Sequence, residues 1–200
     1  MKQLFLPILL VAGTAVAAQA QGIKFGVKAG ASLTSITGKD IDGNAYKFGF
    51  NGGVMANFAF NDMVSIQPEV LYSMKGTKDD SNSDNRINTS YIDVPVMVKV
   101  ATGATGLFFE AGPQVGFLAS ADYKLGGLSA DVKDAFNKVD FGYAAGLGFQ
   151  AASGPLIGLR YNGGFTNLGK DYSSNGVNIT ASDAKNSAFQ LYVGFLFGGK

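Results

Sequence analysis

Seven charged side chains are scattered through segments that otherwise alternate between apolar and small residues: Lys28, Glu69, Lys75, Asp93, Lys99, Glu110 and Arg160. Carboxylates set beside cations can do general acid–base work, and a serine beside a lysine can become a nucleophile. The chain has no histidine, the side chain whose ordinary pKa lies nearest neutrality and which serves most often as a proton carrier. Histidine-dependent lipid hydrolysis, acyl transfer and proteolysis are therefore excluded. A Ser–Lys or carboxylate-only site remains as the catalytic reading. The more ordinary role for acids and bases in such a pattern is structural, as paired charges filling an interior.

Cysteine is absent as well, which removes disulfides and thiol chemistry. Asp80-Ser81-Asn82-Ser83-Asp84-Asn85 resembles the start of a calcium loop, but Tyr91 stands where the bidentate Glu is needed, so the stretch reads as a solvated loop. No phosphate-cradling glycine loop with its lysine is present. Lys124, Lys133 and Lys138 in a later loop are candidates for contact with lipopolysaccharide phosphates; the plainer reading is solvation. The expectation is a chain with no cofactor, no metal and no catalytic site.

The segments that carry the seven charges all show the period of two that marks a strand, with alternate side chains on opposite faces. Eight such segments are legible: 23–33, 47–58, 64–75, 89–100, 107–118, 139–151, 156–165 and 189–197. The last, FQLYVGFLF, puts Phe189, Leu191, Val193, Phe195 and Phe197 on one face and Gln190, Tyr192, Gly194 and Leu196 on the other. The first, IKFGVKAGASL, opposes Ile23, Phe25 and Val27 to Lys24, Gly26 and Lys28. The connections alternate long and short. Residues 76–88, 120–138 and 166–186 read as long polar loops, with a possible short helix at Ser129–Asn137. Eight strands joined in this rhythm predict an antiparallel up-and-down transmembrane β-barrel, closed by pairing of its last strand with its first.

Orientation follows from which face carries charge. The apolar face holds no Lys, Arg, Asp or Glu in any of the eight strands. The other face is glycine-rich and carries all seven charges. A narrow eight-strand lumen just holds side chains, which suits glycines and paired charges. A lone Lys or Arg facing lipid at the midplane would cost roughly 2–4 kcal/mol. The apolar face is therefore expected outside. Charged residues make up only 16% of the chain, against about 25% in a soluble domain, which agrees. Pro68, Pro95 and Pro113 lie inside strands, where they lack a ladder donor, and are expected at bulges or ladder ends. Tyr46, Tyr72, Tyr143 and Tyr161 are candidates for interfacial belts, with Tyr91 facing inward as a filler.

Met1–Ala20 reads as a signal peptide: Lys2, an apolar core over Leu4–Val16, and the small-x-small sequence Ala18-Gln19-Ala20. Two domains of sequence follow: residues 1–20 as the signal and 21–200 as the barrel. Loss of Lys2 with the signal leaves fifteen basic and fifteen acidic side chains, a balance that gives no case for nucleic acid.

Gln67-Pro68-Glu69-Val70-Leu71-Tyr72-Ser73, Tyr91-Ile92-Asp93-Val94-Pro95, Gly112-Pro113-Gln114-Val115-Gly116-Phe117 and Gly146-Leu147-Gly148-Phe149 resemble the PorT-like outer-membrane β-barrel family of the Bacteroidota. The resemblance spans the mature chain, and the in-strand prolines match it. It implies an eight-stranded barrel in the cell outer membrane, and its namesake is associated with type IX secretion. The expected function is a non-catalytic barrel with a filled lumen that displays its loops for partner binding or envelope support. An accessory role in a secretion system and a soluble periplasmic ligand-binding barrel are the alternatives. The expected partners are outer-membrane lipids and lipopolysaccharide, the barrel-assembly machinery during insertion, and secretion components under the first alternative.

Overall fold

A computed structural model describes residues 23–38, 44–81, 84–103, 105–125, 128–170, 172–174, 177–179 and 183–198. The signal-peptide assignment over Met1–Ala20 lies outside these residues. Eight long strands form the wall: β1 (Ile23–Gly38), β2 (Lys47–Ala59), β3 (Val64–Asp79), β4 (Arg86–Ala101), β5 (Leu107–Leu125), β6 (Val139–Gln150), β7 (Pro155–Gly164) and β8 (Ala184–Phe197). Each pairs antiparallel with its neighbours in sequence, and β8 pairs with β1 from Phe25↔Phe197 to Gly38↔Ala184, closing the ring as expected.

The register fixes the tilt. A path along cross-strand partners runs from Leu33 through Phe189, Tyr161, Ala145, Ala111, Val98, Ile66 and Phe58 and re-enters β1 at Ile23, ten residues below its start. A stagger of that size forces the strands to lean steeply against the barrel axis. Side chains far apart along the chain are thereby brought to one level of the lumen.

The short connections are built by local chemistry. Asn61 Oδ1 accepts the amides of Met63 and Val64 at 2.9 and 2.7 Å, closing the β2–β3 turn. Gly154 sits at φ +115 in the β7-side turn, a conformation that a side chain would oppose. These turns and both barrel termini share one end, the turn end; the long connections share the other, the loop end.

Strand faces divide as the alternation requires. Val27, Phe48, Phe50, Val54, Leu147, Leu159, Leu191 and Val193 lie exposed on the outer wall, whereas Lys28, Asn51, Glu69 and Gln190 are buried inside. A soluble barrel would carry its apolar face inward, so that alternative is set aside. The outer wall is also banded. β2 runs Phe48 and Phe50, then Val54 and Ala56, then Phe58. β6 runs Phe141 and Tyr143, then Ala145 and Leu147, then Phe149, and β8 runs Phe189, Leu191, Val193, Phe195. Aromatic rings flank an aliphatic middle, the arrangement of interfacial girdles around a hydrocarbon band. Rings pack within the loop-side girdle, with Tyr143 5.2 Å from Phe165 and Tyr161 5.0 Å from Phe189.

Two expectations are corrected. First, the strands outrun the apolar pattern. β3 continues to Asp79, β4 begins at Arg86, and β5 reaches Leu125 and pairs there with a short strand, Leu128–Asp131. Backbone pairing needs no apolar face, so polar alternation past the membrane band still supports a ladder. The helix expected at Ser129–Asn137 is this strand followed by one 3-10 turn, Lys133–Ala135, begun by Asp131 Oδ1 accepting the Lys133 amide at 2.8 Å. Second, no proline marks a bulge. Partners are interrupted beside Pro68 on its β2 side, beside Pro95 on its β3 side and beside Pro113 on its β4 side, yet register is the same before and after each gap. The register shift in the β4–β5 ladder falls between Ser90 and Tyr91. A missing donor opens a ladder locally, and the flanking bonds hold the alignment.

Candidate functional site in the barrel lumen

Inward side chains fill the lumen in levels. Near the turn end, Met55, Phe108, Leu156, Tyr192 and Leu196 pack into an apolar cluster. Toward the loop end, Tyr91, Leu118 and Ala121 form a second, covered by Val132 and Phe136 from the β5–β6 connection. The charged residues lie between and beside these two clusters.

Lys28, Glu69, Glu110 and Arg160 meet at one level, although β1, β3, β5 and β7 supply one each. Arg160 holds both oxygens of Glu69, Nη1 to Oε2 at 2.8 Å and Nη2 to Oε1 at 2.9 Å, and its Nε donates to Glu110 Oε1 at 2.8 Å. The fork of a guanidinium matches a carboxylate in this bidentate way. Lys28 lies 3.3 Å from Glu69 Oε2, and Gln67 Nε2 donates to Glu69 Oε1 at 2.9 Å. Tyr192 links the charges to the apolar cluster. Its hydroxyl donates to Glu110 Oε1 at 2.7 Å, and its ring lies 3.5 Å from Lys28 Nζ. The side chains of Lys28, Glu69, Glu110 and Arg160 have no solvent exposure at all.

Closer to the loop end, Lys75 Nζ donates to Asp93 Oδ1 at 2.9 Å over the ring of Tyr91. Asp140 accepts from Asn186 Nδ2 at 2.8 Å through Oδ2. Lys99, closer to the turn end, donates to Gln150 Oε1 at 2.7 Å and lies 3.8 Å from the centre of the Phe108 ring. All seven residues singled out in the sequence thus point into the lumen. Lys28, Glu69, Glu110 and Arg160 form one cluster and Lys75 and Asp93 a separate pair; Lys99 joins neither by a salt bridge.

Three contributors went unrecognised in the sequence. Asp140 shares the parity of Gly142 and Ala144 in β6, and that was the available signal. Tyr192 and Phe108 are large side chains among the glycines of the inner face and are packed in the turn-end apolar cluster. Space for Tyr192 comes from Gly158, where an added Cβ would stand 2.5 Å from the phenol ring and hydroxyl.

Chemically, the cluster neutralises itself. Among the described residues no serine or threonine hydroxyl is hydrogen-bonded to Lys28, Lys75, Lys99 or Arg160, and no group of three or more His, Cys, Asp or Glu side chains is placed to hold a metal ion. Next to the calcium-like stretch, Asp79 Oδ1 accepts the amide of Ser81, while positions 82 and 83 lie outside the described residues.

The loop end is tied together across connections. Asn137 Nδ2 donates to the carbonyls of Asn167 and Gly169 at 2.7 and 3.0 Å, and Lys170 Nζ to that of Asp134 at 3.1 Å. Lys133 Nζ donates to Ala119 O at 2.6 Å.

Neisserial surface protein A superposes with a TM-score of 0.55 at 17% identity, over 86% of this chain and 96% of that one. Ail, the attachment invasion locus protein of Yersinia pestis, superposes at 0.51 with 16% identity, over 87% of this chain and 98% of that one. At such identities the likeness speaks for the fold. No curated protein sequence is significantly similar. A profile of the outer membrane protein beta-barrel domain matches residues 17–170. With that match, the closed eight-strand ring and the banded apolar wall, the chain belongs to the outer membrane protein beta-barrel family, and the membrane it spans is the outer one.

Proposed function

We propose that this protein is a non-catalytic outer-membrane scaffold of the PorT-like type, a plugged barrel that holds its loop end as a contact surface for a partner or for the envelope. The observation that carries this reading is the filled lumen. An ion cluster with no solvent exposure rests on the apolar cluster of Met55, Phe108, Leu156, Tyr192 and Leu196. At the level of these clusters wall and contents pack together, which suits a rigid support and not a diffusion channel. Open aqueous channels belong to barrels of about 16 strands.

In this reading the short turns face the periplasm and the long connections face outward, as is general for such barrels. Export proceeds by cleavage after Ala20, and outer-membrane lipids meet the aliphatic band. Lipopolysaccharide meets the loop-side girdle, and the barrel-assembly machinery handles insertion. The bonds from Asn137 and Lys170 across two connections support a preformed loop surface.

Two measurements test the proposal. Purified barrel in planar lipid bilayers is expected to give no steady ion conductance; a stable open conductance would overturn the plugged reading. Lys133→Cys is expected to react with a membrane-impermeant maleimide in intact cells, and Asn61→Cys only after permeabilisation. The reverse pattern would invert the topology.

A further inference from the structure

Among the described residues four cations are buried in the lumen; three have a carboxylate within salt-bridge distance, and the fourth does not. Lys28 lies on Glu69, Lys75 on Asp93, and Arg160 on both Glu69 and Glu110. Lys99 is only 5% exposed, yet its ammonium has a neutral amide oxygen and a ring face as neighbours. An ammonium carries three donors, and one of these is used by Gln150. Buried charges ordinarily persist by pairing.

Glu110 faces Lys99 across the β4–β5 ladder. Its Oε1 is already taken by Arg160 and Tyr192, while its Oε2 has no partner. Turning Lys99 toward that oxygen would not change the count. Lys28, Lys99 and Arg160 are three cations over two carboxylates, Glu69 and Glu110. The turn-side half of the lumen holds a surplus positive charge whichever way Lys99 points.

Lys99 also lines a cavity of about 390 Å³ that opens at the turn end. Lys24, Asn57, Ser65, Phe108 and Gln150 line it as well, and the acid among its lining residues, Asp62, is exposed on the β2–β3 turn. A volume of this order falls within the range of roughly 300–1,000 Å³ typical of small-molecule sites. The cavity therefore joins a buried cation without a carboxylate partner, a second cation, neutral side-chain donors and space open to solvent.

We propose that the turn-end cavity binds a small oxyanion through Lys99 and Lys24, the ligand carrying a phosphate or carboxylate group that compensates the surplus charge. Lys99 is the principal ligand contact, and Lys24 adds its charge from the cavity lining. The ring of Phe108, centred 3.8 Å from the Lys99 ammonium, forms an apolar part of the same lining.

The test uses the isotope-labelled full barrel, refolded in detergent and titrated separately with inorganic phosphate and with succinate. Saturable amide shifts confined to the vicinity of Asn57, Lys99, Phe108 and Gln150 are expected with at least one of the two, and which anion saturates identifies the class. Lys99→Met is expected to weaken binding by about tenfold or more, the loss of a charge-assisted contact. Lys133→Met at the loop end is expected to leave it unchanged. Should Lys99→Met fail to fold by gel mobility, Lys24→Gln carries the same comparison: weakened binding supports the site, and unchanged binding overturns it. Shifts that never saturate with either anion, that spread over the loop-end lysines, or that persist in Lys99→Met would overturn the proposal.

Discussion

Replacing Glu69 by glutamine keeps the shape of the side chain and removes its charge. Glu69 is where the central cluster converges: both Arg160 Nη atoms, Lys28 and Gln67 all donate to it, and its side chain has no exposure. After Glu69→Gln, Lys28, Lys99 and Arg160 share Glu110 as the nearest carboxylate. Removing one partner of a buried ion pair costs about 3–5 kcal/mol, because the other charge is left without compensation. That corresponds to a roughly hundredfold to several-thousandfold increase in the unfolding constant.

A second variant separates charge from shape. Glu69→Gln combined with Lys28→Met removes one cation with the anion, so the double variant is expected to be more stable than Glu69→Gln alone by about 1 kcal/mol or more. The assay is urea unfolding of the barrel in lipid vesicles, followed by far-ultraviolet circular dichroism and by the mobility difference of folded and unfolded barrel on gels. The chain has no tryptophan, so indole fluorescence offers no signal. If Glu69→Gln lost less than about 1 kcal/mol, or if the double variant lost the sum of its two singles, the cluster would not act as a charge-balanced unit, and the reasoning would fail.

Two further perturbations probe packing and the outer wall. Gly158→Ala would set a methyl carbon 2.5 Å from the Tyr192 ring and hydroxyl, pushing the phenol off Glu110; a loss of about 1–3 kcal/mol in the same unfolding assay is expected. Gly52→Ala, whose nearest atom stands at 3.5 Å, should be close to neutral, and equal losses at the two sites would contradict the packing account. On the outer wall, Leu159→Arg is expected to destabilise by roughly 2–4 kcal/mol in vesicles, the cost of an arginine at the hydrocarbon midplane. Thr37→Arg, exposed near the loop end of β1, should cost little; if Leu159→Arg were equally mild, the band around Leu159 would not face lipid.

The alternation of side chains determined most of the architecture by itself. Period-two patterning states which residues share a face without knowledge of any partner strand, because successive side chains must point oppositely. Eight strands, the apolar exterior and the pairing of the last strand with the first followed from it. Asp140 lies within the segment 139–151 and shares the parity of Gly142, so the alternation already placed it inside, but it stands at the segment's edge and was not counted among the lumen charges. The strand extensions past Leu33, Lys75 and Leu118 were missed for a related reason: outside the membrane band a ladder is held by backbone bonds, which leave no trace in hydropathy.

What the sequence could not determine was which charge meets which. Glu69 and Arg160 stand 91 positions apart and lie in strands that are not neighbours. Their contact depends on the stagger of ten residues around the ring, which lifts one strand against the next and sets the level at which each side chain enters the lumen. Register is a property of the closed sheet as a whole, since every ladder must agree before the last strand can meet the first. Only the tertiary structure therefore decided that Lys28, Glu69, Glu110 and Arg160 form one cluster and that Lys99 is left at the edge of an open cavity.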